Sequence, residues 1–94
     1  MTNALESLQQ GNVSRELRSL SAIAREIRRD WRNVWFGAVP YLDAMASLDS
    51  VQDKYGCDSA ASIVRYFLGN AAQWRGETAR RVKAELKAMV KGVY

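Results

Sequence analysis

Residues 13–40 read VSRELRSLSAIAREIRRDWRNVWFGAVP, and this stretch decides the fold. Val13, Leu17, Leu20, Ala24, Ile27, Trp31 and Val34 recur in steps of four and three, the apolar seam of an amphipathic helix. Arg15, Arg18, Arg25, Arg29 and Arg32 fall on another side of the same cylinder. Like charges three or four residues apart, such as Arg25 with Arg29, cost a few tenths of a kcal/mol, roughly 0.2–0.5 per pair. Only Glu16, Glu26 and Asp30 offset them. The arginine face is therefore either solvated surface or a docking surface for an anion or an acidic partner. Asn12 or Ser14 can cap this helix. The helix gives out between Asn33 and Gly37, in an aromatic hinge where Gly37 relaxes the backbone and Pro40 opens the next helix.

Outward from that stretch, the rest of the chain reads as helices. A second is expected from about Pro40 to Tyr55, with Tyr41 or Leu42, Met45, Leu48, Val51 or Gln52, and Tyr55 inward, and Gly56 as its stop. Asp58 is expected to cap a third, from about Ser59, whose Ala60, Ile63, Val64, Phe67 and Leu68 give it a wide apolar surface. The spacing of Asn70 and Gln73 suggests a capping box, so the last helix is expected from Asn70 to about Lys91, with a start near Glu77 as the alternative. Its inward set is Ala72, Ala79, Val82, Leu86, and Met89 or Val90. No alternating strand pattern, internal repeat or low-complexity tract interrupts this reading. The expected fold is all-α, a compact bundle of about four helices in a single domain over residues 1–94. Residues 1–12 form a short N-terminal segment that frays or docks on a neighbouring subunit.

Charge is segregated along the chain. The net charge is +4 and the pI about 9.6. Residues 13–35 carry six Arg against three acids, residues 40–58 four Asp against Lys54, and residues 59–94 seven bases against two acids. Such a pattern supports pairing between subunits with basic surface left over, and a homo-oligomer is expected. The single Cys57 has no intramolecular partner, which points to a reducing compartment. No signal peptide and no apolar run of spanning length is visible, so no membrane association is expected.

The chemistry of enzymes is missing from the residue types. There is no histidine, no Cys–His pair and no Gly-rich phosphate loop. No catalytic residue, metal or cofactor is expected. Asp49 and Asp53 sit four apart and read as an acidic face before they read as a shared cation site. The turn between Met45 and Leu68 resembles a helix-turn-helix, but its second helix offers only Ser59, Ala61, Ser62, Arg65 and Tyr66 as outer residues, thin equipment for base edges. Aromatic and guanidinium groups do stand side by side twice. Arg32 adjoins Trp35, Phe36 and Tyr41 at the hinge, and Trp74 adjoins Arg75. Stacking faces beside bidentate cations suit a ligand carrying a base and a phosphate. These six form the candidate ligand-binding set, against the plainer alternative that the aromatics simply close the ends of the bundle. Arg15, Arg18, Arg25, Arg29, Arg80, Lys83, Lys87 and Lys91 form two candidate basic surfaces, able to hold a phosphate backbone without sequence preference.

Two segments, Arg29 to Met45 and Ser62 to Arg80, resemble a group of small uncharacterised proteins encoded by phages, prophages and plasmids. The resemblance covers about two-thirds of the chain. It implies a bacterial cytoplasm and a mobile genetic element, where small non-enzymatic proteins bind and disable host components. The leading expectation is thus a phage-type binding protein that antagonises a host factor, such as a defence system, by capturing a nucleotide-derived ligand. The alternatives are a nucleic-acid-binding accessory protein and an adaptor that docks on an acidic host protein.

Overall fold

The first described helix, α1, spans Leu20–Asp30, and its start is fixed from two sides. Ser19, in extended backbone, accepts a hydrogen bond on its Oγ from the Ala22 N–H. The N–H groups of Leu20 and Ser21 donate to the carbonyls of Asp49 (3.0 Å) and Leu48 (2.9 Å), far along the chain. The orphan donors of a helix N-terminus are thereby satisfied. The computed structural model describes residues 18–56 and 58–93. The single helix expected from Val13 onward is corrected, because Arg18 and Ser19 are not helical and Ser19 caps a helix that begins at Leu20; residues 13–17, the expected caps Asn12 and Ser14, the segment 1–12 and Cys57 lie outside the described residues.

Helix α1 ends at Trp31, earlier than the periodicity suggests; the Trp31 N–H closes on the Ile27 carbonyl. Turns at 31–38 lead to α2, Val39–Met45, with Pro40 in its first turn, where a missing N–H costs nothing. The expected second helix to Tyr55 is corrected here. It stops at Ala46 because the following residues turn back: the Asp53 carboxylate accepts from the N–H groups of Asp49 and Ser50. Lys54–Tyr55 (β1) and Asp58–Ser59 (β2) then pair antiparallel, Lys54 with Ser59 and Tyr55 with Asp58. Gly56, at φ 63°, is part of this hairpin rather than a helix stop.

Ser59 caps α3, Ala60–Gly69, by accepting from the Ser62 N–H; Asp58, the expected cap, sits in β2. Asn70 closes α3 instead of opening the next helix, and its side-chain amide donates to the Tyr66 carbonyl. Helix α4 is Glu77–Val90, so the long last helix from Asn70 is corrected to the shorter one. Gly76 stands at φ 110°, ψ −178°, a region open only to glycine, and a helix cannot run through it. The chain is therefore mostly α-helical, with a two-residue ribbon that the all-α expectation lacked.

One core joins these elements. Helix α3 is buried on two sides: Ala60, Ala61, Val64 and Phe67 are fully enclosed, so Ala61 is not the outer residue expected of a recognition helix. Leu20, Ile23, Ala24 and Ile27 come from α1, Leu42 and Met45 from α2, Ala79, Val82 and Leu86 from α4. Ala71 takes the inward place expected of Ala72, which is exposed. Helices α2 and α4 each pack against α1 and α3, and so lie across the core from one another. An ion network ties α4 to α1. Arg18 grips Glu85 with two hydrogen bonds, 3.0 and 2.7 Å, and reaches Glu26 at 2.9 Å, while Arg81 bonds the other Glu26 oxygen.

Candidate anion-binding surface

The hinge after α1 and the α3–α4 connection meet in space. Trp31 and Trp74 stack with ring centroids 5.9 Å apart and planes within 8°, and Phe67 sets its edge against both. Such pairs add about 0.5–1.5 kcal/mol each beyond the area they bury. The Trp74 indole N–H donates to the Asp30 carboxylate at 2.8 Å. Further out, the Trp35 ring lies over Gly37. A Cβ at Gly37 would stand 2.5 Å from the Trp35 Nε1 and 3.1 Å from the Asn70 side-chain oxygen, so only glycine lets the hinge fold this tightly.

This meeting point is filled, not open. Trp74, expected to stack on a ligand, is only 2% exposed and belongs to the core with Trp31. Its polar edge is already bonded, so its ring is not available as a platform. Tyr41 is turned away too, its ring 5.5 Å from Tyr66 in a groove between α2 and α3. Four of the six expected ligand residues remain at the surface. Arg32 and Arg75, each next in sequence to one of the stacked tryptophans, are exposed. Trp35 and Phe36 form a tilted pair at 4.2 Å, with Phe36 74% exposed.

The basic surfaces divide by what their cations already hold. Arg18 is consumed by Glu85 and Glu26, and is corrected from free surface to structural tie. Arg65 is likewise spent, donating to the carbonyls of Val90 and Val93 at the end of α4, which removes the one cation of the helix-turn-helix reading. Arg15 lies outside the described residues. Arg25, Arg29, Arg32, Arg75, Arg80, Lys87 and Lys91 are exposed, with no carboxylate in ion-pair range among the described residues. Arg29 borders a shallow cleft with Glu26, Asp30 and Thr78.

Lys83 has a place that sequence did not reveal. Its ammonium donates to the Trp74 carbonyl at 2.7 Å and stands 5.9 Å from the centre of the Trp74 ring. Partial burial holds its pKa below the ordinary lysine value, and the nearby charges of Lys87 and Arg75 push the same way. Lys83 therefore carries its charge close to two others, Lys87 and Arg75, and an anion there would offset them. Nothing local in the sequence marks this arrangement, because the pairing of Lys83 with the Trp74 backbone depends on how the connection folds back over α4. Asp49 and Asp53, weighed as a cation site, instead shape a turn. Among the described residues no group of three His, Cys, Asp or Glu could hold a metal, and no helix is long and apolar enough to cross a membrane.

Comparison with protein families, curated proteins and solved structures finds no match. The functional reading rests on these side chains.

Proposed function

We propose that this protein is a non-catalytic binding module that captures a phosphate-bearing ligand. The capture site is the cationic surface of Arg75, Lys83 and Lys87, beside the hinge that carries Arg32, Trp35 and Phe36. The observation that carries the reading is the Lys83 ammonium, held 2.7 Å from the Trp74 carbonyl in the presence of the Lys87 and Arg75 charges, with no carboxylate within ion-pair range of any of the three among the described residues. A phosphate supplies the missing counter-charge and accepts charge-assisted hydrogen bonds from guanidinium and ammonium together. The exposed Trp35–Phe36 pair, on the hinge that follows Trp31, offers an apolar face for a base. In the phage or plasmid setting that the sequence of residues 29–45 and 62–80 suggests, such capture would withhold a nucleotide-derived signal from a bacterial host factor.

The test is a thermal-shift and calorimetric titration with a dinucleotide and with a nucleoside triphosphate. A ligand that binds only the folded state raises the melting temperature, by about 2.7 kcal/mol of stability at a hundred times Kd. Arg32→Ala and Arg75→Ala are expected to leave the free protein's melting temperature unchanged and to weaken binding about ten- to hundred-fold, the usual cost of one charge-assisted contact. Two variants that bind like the parent, or a parent that binds neither probe, would remove this reading. A duplex that binds with steep salt dependence while both small probes fail favours the nucleic-acid alternative.

A further inference from the structure

The side of the molecule opposite α4 carries chemistry that phosphate capture does not use. Tyr41, Tyr55 and Tyr66, with Pro40, Ile63 and Asp58, line a groove of about 260 Å³ between α2, the hairpin and α3. Tyr55 and Tyr66 are half exposed, at 48% and 53%. Among the described residues none of the three hydroxyls makes a hydrogen bond, and Asp58 has no cation beside it. Tyrosines lose little side-chain entropy on binding and present an apolar body with a polar tip. Their ring faces attract cations, and the Asp58 carboxylate adds a formal negative charge. The groove thus suits a partner that is cationic and otherwise flat.

The chain carries such a surface itself. On α4, Arg80, Lys87 and Lys91 lie within an arc of about 40° at 100° per residue, so the stripe shares Lys87 with the capture surface and is otherwise distinct from it. Exposed Ala84 and Ala88 stand beside them, small enough for close approach. Helices α2 and α4 lie across the core from one another, so the groove of a copy cannot reach its own stripe. We infer that the tyrosine groove takes the α4 stripe of a second copy. The contact is heterologous: each pairing leaves one free groove and one free stripe, so association continues into a closed ring or an open filament. Its charged part weakens with salt, while the aromatic part does not.

Sedimentation velocity on the full chain, in reductant and at roughly 100 µM, a concentration suited to weak association, reads the result. The parent is expected to sediment above the 10.6 kDa of one chain, and to shift toward it in about 0.5 M salt. Tyr66→Lys blocks the groove, and the double variant Arg80→Glu, Lys91→Glu reverses the stripe. Each alone is expected to be monomeric with an unchanged helical circular dichroism spectrum. Mixed one to one, they retain one intact groove and one intact stripe, and are expected to form a two-chain species and nothing larger. Should Tyr66→Lys fail to fold, Tyr55→Lys on the hairpin replaces it. A monomeric parent overturns the proposal. So does a stripe variant that remains assembled, which would mean grooves pairing with grooves, and so does a mixture that stays monomeric.

Discussion

Phe67 shows what a single side chain does for this molecule. It is fully enclosed and touches both stacked tryptophans by its edge. Phe67→Ala removes that volume from a site whose walls come from different helices and cannot collapse together. We expect a loss of about 3–5 kcal/mol, read as a fall in the denaturant midpoint, which is a large share of a small domain's stability. The role of Phe67 was legible from the wide apolar surface of its helix. Trp74 was legible only as a choice between closing the bundle and, beside Arg75, clamping a ligand; the arrival of Trp31 and Asp30, distant in sequence, decides it by turning the ring inward. Ile23 was missed for a related reason: a seam counted in steps of three and four describes a helix buried along one line, whereas α1 is covered by both α2 and α4.

At the scale of elements, sequence succeeded where periodicity was long and failed where a turn depends on tertiary partners. Helix α3 and the register of α4 followed from their apolar spacing. The end of α2 did not, because Asp49 and Asp53 look like a solvated helix face until the Asp53 carboxylate is seen closing a turn. The two-residue strands are too short for alternation to register at all. Gly76 decides where α4 begins. Its backbone angles are closed to residues with a Cβ, so Gly76→Ala is expected to cost about 1–3 kcal/mol although open space surrounds the site. Gly37 contrasts with it, since there the obstacle is the Trp35 ring itself. Gly37→Ala is expected to displace that ring and change its fluorescence, with the α-helical spectrum retained.

The whole molecule responds to pH through the α1–α4 ion network. The Glu26 carboxyl titrates below its ordinary 4.5, first because Arg81 donates to it and then because Arg18 does, against the opposing effect of burial. A carboxyl depressed in the folded state stabilises fully above its unfolded pKa. That contribution is lost as pH falls through the lower, folded value. Chemical denaturation across the acid range is expected to show stability falling below pH 4.5 in the parent, with a shallower fall in Glu26→Gln, which lacks the titrating group. Lys83 works in the other direction. Its depressed pKa penalises folding while the ammonium is charged, so stability is expected to rise as pH climbs from the folded value toward 10.5.

The backbone pairing of Leu20 and Ser21 with Asp49 and Leu48 also orders events in time. The first turn of α1 is completed by a loop that the chain reaches only after α2. Until that loop closes, two of the helix's opening donors have no protein acceptor, and closure costs chain entropy before it returns anything. The C-terminal end of α1, where the cap residue Trp31 meets Phe67 of α3 and Trp74 of the α3–α4 connection, does not share that dependence. In a folding transition state, substitutions at Leu48 are therefore expected to give low φ-values and those at Phe67 higher ones, so that damage at the loop shows chiefly as faster unfolding.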